Sequence, residues 1–309
     1  MKESMPTGQN RVIVFIFSLL LFFILGAYLY GAYSSPRNLW PLETLHGLIK
    51  QVVPSVSGKY DEFGRLTAFP SKNEVTCPTQ ANDTAVLLVI GQSNSANHAG
   101  KKFATRFPQN VFNYFEGRCY IAFSPLLGAS GEGGEFITPL ADKLISVGAY
   151  KTVVIVSSGI SGTPISRWQK DGDLNEMLLS TLKDVNQKYK ITQIIWHQGE
   201  NDFINFTSAK NYIKSFNSLL ESLAEIKVAV AVFVSVATKC GSNWRENNPT
   251  AIGQKQLIDN KKIFLGVDTD TLLADVDRQS DKCHFSESGQ VKTASAYAEA
   301  IFKNIGKYR

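Results

Sequence analysis

The chain has 309 residues, 44% of them hydrophobic and 19% charged, with 32 Lys and Arg against 27 Asp and Glu for a net charge of +5. The charge is mixed in sign and no basic run is interleaved with aromatics, which argues against nucleic acid as a partner and leaves a mild bias toward anionic polymers or lipid surfaces. No metal-ligand spacing, phosphate-binding loop or dinucleotide glycine fingerprint is present, so no metal and no cofactor are expected.

The first element is apolar. Residues 12–33 carry no charge, and 22 positions of helix span a bilayer core of about 30 Å. Lys2 and Arg11 precede it, so residues 1–11 are expected in the cytoplasm, 12–33 as a single transmembrane anchor, and all that follows in the periplasm or outside the cell. A cleaved signal peptide is the alternative, disfavoured by the length of the run and by its poor small-x-small cleavage pattern. Residues 34–83 read as a juxtamembrane linker, broken by Pro36, Pro41, Pro54, Pro70 and Pro78, with room for a short amphipathic helix over 39–53.

Residues 84–309 then alternate between two periods. Short, β-rich apolar runs at 84–90, 152–157, 191–196 and 228–236 predict strands buried on both faces, with weaker ones inside 110–123 and at 263–266. Helical patterns lie at 95–106, 138–148, 173–189, 207–225, 249–260 and 286–304. The alternation predicts right-handed crossovers and a three-layer α/β/α sandwich around a mostly parallel sheet, one domain in all. Ligands of such sheets bind outside the carboxyl ends of the strands.

Polar residues of a chemical kind stand at those ends. Gly91-Gln92-Ser93-Asn94 follows the first strand, Ser161-Gly162 with Arg167-Trp168 the second, Trp196-His197-Gln198-Gly199-Glu200-Asn201-Asp202 the third, and Asp281-Lys282-Cys283-His284 precedes the last helix. A serine hydroxyl needs a base within hydrogen-bond reach and a third group to orient that base. Ser93, His284 and Asp281 supply the three roles. Ser93 can also be read as a helix N-cap, and Asp275 and Asp277 rival Asp281, although only Asp281 stands beside His284. Glu200 and Asp202 read as loop anchors rather than general acids. The Gly128–Gly134 stretch, lacking a following Lys, reads as a mobile loop shaping a pocket.

In this order the four blocks resemble the SGNH (GDSL-like) hydrolases, most closely the sialate O-acetylesterase and acetylxylan-esterase-like branch, over residues 85–303. The resemblance implies a flavodoxin-like sandwich with Ser93 as nucleophile, His284 as base and Asp281 as its orienting carboxylate. It also implies an oxyanion hole built from the Ser93 and Gly162 backbone N–H groups and the Asn201 side chain. At Asn201 the acetylesterases often carry Ser or Thr, and this chain follows the broader SGNH pattern instead. Gln92, His197, Arg167 and Trp168 are expected to line the substrate, the last two as a guanidinium fork and a stacking face. The activity implied is removal of O-acetyl groups from an acetylated carbohydrate through an acyl-enzyme. A carbohydrate O-acetyltransferase with the same triad is the alternative, and a catalytically silent glycan-binding protein the alternative of another class.

All four cysteines lie beyond the apolar run, which suits an oxidising compartment. Of the three possible pairings we expect Cys77–Cys119 and Cys240–Cys283, the second tying a late loop to the one that carries His284. Asn82-Asp83-Thr84 and Asn205-Phe206-Thr207 are formal glycosylation sequons.

Overall fold

A computed structural model describes residues 18, 19, 21–26, 30 and 57–307. The few described residues before 57 are helical and exposed, and among the described residues no helix is long and apolar enough to cross a membrane. The anchor expected over 12–33 and the amphipathic helix over 39–53 fall largely or wholly outside them.

Residues 57–309 form one compact unit. Its main sheet is built around strand β4, Thr84–Gly91, in which every residue is buried. The chain order continues with β5 (Val111–Phe115), β6 (Arg118–Ile121), β7 (Thr152–Ser157), β8 (Gln193–His197), β9 (Ala231–Val236) and β10 (Ile263–Asp268), preceded by β3 (Glu74–Val75). Their order across the sheet is β10-β9-β8-β4-β7-β5-β6-β3. The strands from β10 to β5 run parallel, while β6 is antiparallel to both β5 and β3. The weak strand expected inside 110–123 is therefore a hairpin, β5–β6. Glu116 and Gly117 at its turn both have positive φ, 47° and 76°, the conformation whose twist matches that of the flanking strands.

Alternation along the strands serves two cores. Ala85, Leu87 and Val89 of β4 face α1 (Ile137–Ser146) and α7 (Glu287–Asn304), whose Leu140, Leu144, Tyr297 and Ile301 are fully buried against them. Val86, Leu88 and Ile90 face α2 (Asp173–Val185) and α4 (Ala209–Glu225), through Leu178, Leu182, Phe216 and Leu219. Each fully buried aliphatic side chain contributes about 1.5–3 kcal/mol of transfer free energy, so both faces must be covered for the sheet to persist in water. The helix starts follow local chemistry. Ser208 accepts from the Asn211 N–H at the head of α4, and Asn248 from Ala251 at the head of α5 (Pro249–Leu257), where Pro249 needs no donor.

Two expectations fail here for identifiable reasons. The stretch 57–83, read from its prolines as linker, belongs to the folded unit. It carries the hairpin β1 (Lys59–Tyr60) and β2 (Leu66–Ala68), adds β3 to the sheet edge and buries Leu66 completely. The helix expected over 95–106 does not form. Ser93–Ser95 is a single 3-10 turn, after which Ala99 and Ala104 bridge to Gly134 and Phe123 while Asn97 spends its side chain on Leu126 and Ala129. Pairing with distant backbone satisfies these groups in place of i→i−4 bonds. The Gly128–Gly134 stretch is their partner and is pinned rather than loose: Gly133 and Gly134 donate to Asn97 and Ala99, and Gly128 to Leu66.

Candidate active site

The switch in direction of the sheet falls at β4, flanked by β7 on one side and β8 on the other. Gly91 ends β4 at φ +135°, and a Cβ there would lie 2.1 Å from the His197 carbonyl oxygen. Only glycine permits that approach, and the Gln92 N–H uses it to donate to His197 at 3.1 Å. The serine block and the Trp-His-Gln-Gly block are thus fastened at their first residues. Ile160 donates to Gly91, and Ser130 to Gly159, which draws the Ser161-Gly162 turn to the same edge.

Ser93, 3% exposed, opens the turn that follows. Its neighbour Asn94 reaches across to the last block. Asn94 Nδ2 donates to the Cys283 carbonyl at 3.2 Å and its Oδ1 accepts from the Phe285 N–H at 3.2 Å, so it grips His284 on both sides. His284 Nδ1 lies 2.6 Å from Asp281 Oδ2, and Asp281 Oδ1 accepts from the backbone N–H groups of Cys283 and His284. Partial burial pushes the Asp281 carboxyl up, but the His284 ring and the two N–H groups outweigh it and hold the group below its usual range. This is the arrangement a general base needs: an anchored carboxylate on Nδ1 and, among the described residues, no hydrogen-bond partner on Nε2. Asp277 instead accepts from the Ser288 hydroxyl in the first turn of α7 and pairs with Lys292, and Asp275 pairs with Lys239 and Lys282. The expected rivals of Asp281 are thereby spent elsewhere.

The expected oxyanion donors remain uncommitted. Gly162 adopts φ +67°, and Asn201 fixes its side chain by accepting from Asn205 Nδ2 at 2.7 Å. Among the described residues nothing accepts from the Ser93 N–H, the Gly162 N–H or Asn201 Nδ2. Preorganised donors of this kind are worth about 3–4 kcal/mol each toward a developing oxyanion.

The residues expected to line the substrate are placed otherwise. Gln92 is buried and its Oε1 accepts from Asn201 N at 3.1 Å and Gln198 Nε2 at 3.2 Å, which braces the loop that holds Asn201. Trp168 has no exposure; it donates to Thr163 and packs edge-on against Trp196, so no sugar can stack on it. Arg167 turns its fork to Asp173, with Nε 3.0 Å from Oδ1. His197 is fully buried among Phe136, Phe285 and Tyr297. Burial and the nearby Arg278 charge push its pKa down to about 3, so its 3.8 Å contact with Glu200 is not an ion pair. Gln92, Trp168 and His197 thus pack behind the loops at the strand ends, while Arg167 pairs with Asp173 at the surface.

Around the expected anchors Glu200 and Asp202 stand participants that escape a reading of motifs, Arg278, His98 and Ser130. Glu200 lies wholly inside, accepting from Asn94 Nδ2 at 2.7 Å, and burial pushes its carboxyl up to about 7 despite that bond. Arg278 donates to the carbonyls of Cys283, Lys239 and Thr269, holding the His284 loop from its other side. His98, expected on a helix, stacks on His284 with ring centroids 5.8 Å apart, and burial and His284 push its pKa down to about 4. Its Nε2 meets Ser130 Oγ at 3.1 Å, and that hydroxyl accepts from the Ser161 N–H at 2.8 Å. Asp202 is the anchor expected of it, accepting from the Ile165 N–H at 2.8 Å. The disulfides Cys77–Cys119 and Cys240–Cys283 both form, the second closing directly onto the His284 loop.

Comparison with known proteins places this geometry. Residues 83–303 match the family described as carbohydrate esterase, sialic acid-specific acetylesterase. A protein from Arabidopsis thaliana of known structure superposes with a TM-score of 0.55 at 14% identity, over 72% of this chain and 98% of its own, a likeness of fold. NanS gives 0.49 at 18% identity over 71% and 97%, and an acetyl xylan esterase from Geobacillus stearothermophilus 0.43 at 16% over 74% and 97%. No sequence among the curated proteins matches the chain.

Proposed function

The chain belongs to the sialic acid-specific acetylesterase family of carbohydrate esterases, and we propose that it performs the deacetylation of a carbohydrate with Ser93 as nucleophile, His284 as base and Asp281 as its orienting group. The activity is that of a serine esterase removing O-acetyl groups from carbohydrates. Ser93 Oγ attacks the acetyl carbonyl as His284 Nε2 takes its proton. The tetrahedral oxyanion receives hydrogen bonds from the Ser93 and Gly162 N–H groups and from Asn201 Nδ2. Collapse breaks the bond to the sugar oxygen, which leaves with the proton from His284. Water, deprotonated by the same imidazole, then attacks the acyl-enzyme and releases acetate and free Ser93.

The observation that carries this reading is the double grip of Asn94 on Cys283 and Phe285, which ties the residue beside Ser93 to the two neighbours of His284. The test is acetate release by the full chain from acetylated xylan and from O-acetylated sialic acid. Ser93→Ala is expected to retain under about one hundredth of the wild-type kcat with its fold unchanged, because loss of a triad member usually costs far more than that. A folded Ser93→Ala protein above that level would sink the assignment.

The location of the activity is part of the same proposal. Residues 12–33 serve as a membrane anchor with Lys2 and Arg11 on the cytoplasmic side, and the esterase works in the periplasm or outside the cell. Two disulfides among the four cysteines support that side of the membrane, since reducing compartments do not sustain them.

A further inference from the structure

A cavity of about 760 Å³ lies between two segments joined to the loops of the proposed site, and Ser93, Asp281 and His284 do not line it. One wall is the end of α3 (Glu200–Ile204) with the turn that follows it, the other the loop from Cys240 into the start of α5. Both walls are extensions of catalytic loops. Phe203 follows Asn201 by two residues, and Cys240 is bonded to Cys283, the neighbour of His284. The volume is that of a ligand site, which typically measures about 300–1,000 Å³.

Phe206 on its rim is 88% exposed, and Ile204 beside it 52%. A large aromatic held out to solvent forgoes burial that a nearby core would supply, and it does so here at φ +57°, a region that bulky side chains rarely occupy. The turn is held there by the Phe206 N–H on Phe203 at 3.1 Å and the Thr207 N–H on Asp202 at 2.9 Å. Backbone strain that is kept in place by its surroundings, on the rim of a cavity whose walls continue the Asn201 and Cys283 loops, points to a functional surface. The facing wall is hydrogen-bonding rather than apolar, with Asn243 and Asn247 among its members. Its charged members are one Arg and one Glu, Arg245 and Glu246, so it carries no net charge.

We propose that this cavity binds the uncharged saccharide chain beyond the acetylated ring, with Phe206 as the platform for one pyranose face and the opposite wall receiving its hydroxyls. A pyranose presents the same two characters, an apolar C–H face and a hydroxyl rim. The absence of net charge favours a neutral glycan over a chain of carboxylate-bearing sugars. The inference rests on Ser93 being the nucleophile, and it assigns the enzyme to oligomeric or polymeric substrates rather than to free acetylated monosaccharides.

The test compares acetylated xylose, acetylated xylotetraose and p-nitrophenyl acetate, with kcat and KM measured on the full chain. The wild type is expected to favour the tetraose over the monosaccharide by about tenfold or more in kcat/KM, equivalent to about 1.4 kcal/mol. Phe206→Ala is expected to remove that preference through KM and to leave p-nitrophenyl acetate within about twofold, while Phe206→Tyr keeps the preference. A wild type indifferent to chain length would overturn the proposal, as would a Phe206→Ala protein that loses all three substrates alike or none. These failures are separate from that of the Ser93 reading, which shows itself as activity surviving in Ser93→Ala.

Discussion

Glu200 carries an ionisable group into the interior, against Asn94 beside Ser93. Burial pushes its carboxyl up to about 7, opposed by the Asn94 hydrogen bond and the Arg278 charge and reinforced by Asp270. A raised carboxyl favours the folded state in its protonated form. Its contribution is present in full below the ordinary value near 4.5 and is lost as pH rises through about 7. At 1.36 kcal/mol per unit, the loss is on the order of 3 kcal/mol. Glu200→Gln keeps an oxygen for Asn94 and removes the titration. The variant is therefore expected to unfold with a smaller decline in stability between pH 5 and pH 8 than the wild type, and to be at least as stable at pH 8. Urea midpoints at the two pH values decide this, and parallel declines would refute it. Little of this was readable in advance. Glu200 was legible as an anchor, but its partner Asn94 stands 106 residues away, and Asn94 meets Phe285 across 191. A motif reports which residues recur at a strand end; it does not report which of them turn inward to brace the others. Gln92, His197 and Trp168 were misread for the same reason, since a polar or aromatic residue at a sheet edge has the same sequence signature whether it faces substrate or supports the loop.

Among the elements, the loop that bears Asp281 and His284 is closed by a single β-bridge between Arg278 and Phe285, and it is held by Asn94, by the Arg278 side chain, by the Cys240–Cys283 bridge, and by the Gly100 and Gly241 N–H groups on the Phe285 and Lys282 carbonyls. The bridge Cys77–Cys119 instead fastens the segment after β3 to the β5–β6 hairpin at the far edge of the sheet. Native disulfides are typically worth about 2–4 kcal/mol, chiefly by restricting the unfolded chain. For a domain of this size that is a Tm loss of about 5–15 °C from either pair. The consequences for turnover differ. Replacing Cys240 and Cys283 by Ser is expected to lower both Tm and kcat, because the His284 loop gains freedom, whereas replacing Cys77 and Cys119 lowers Tm alone. Calorimetry with p-nitrophenyl acetate kinetics on the two double variants separates the cases; an unchanged kcat without Cys240–Cys283 would show that the remaining ties suffice. The elements most legible in the sequence were those with a clean period, β4, β7, α4 and α7, where burial and repeat coincide. Residues 95–106 had a helical pattern and no helix, because the backbone there found cross-chain partners in the Gly128–Gly134 stretch.

For the molecule as a whole, the prediction concerns which side of a membrane the esterase occupies. On the proposed topology, with Lys2 and Arg11 ahead of 22 uncharged residues and the N-terminus inside, alkaline phosphatase fused after Lys59 is expected to be active in a bacterial host. An inactive fusion would remove the proposed location, and recovery of mature protein beginning near Tyr33 would keep the location but replace the anchor with a cleaved signal. The sequence by itself determined the sandwich and the strand ends at which polar residues gather, and its resemblance to the esterases singled out Ser93, Asp281, His284, Gly162 and Asn201 as the groups to expect there. Periodicity and turn chemistry are local properties, and they are written in neighbouring residues. The tertiary structure alone decided that 57–83 joins the sheet, which polar side chains face inward, and that Phe206 stands exposed at the mouth of a cavity. Those outcomes depend on which distant segments meet, and contact between segments a hundred residues apart is fixed by the packing of the whole chain rather than by any stretch of it.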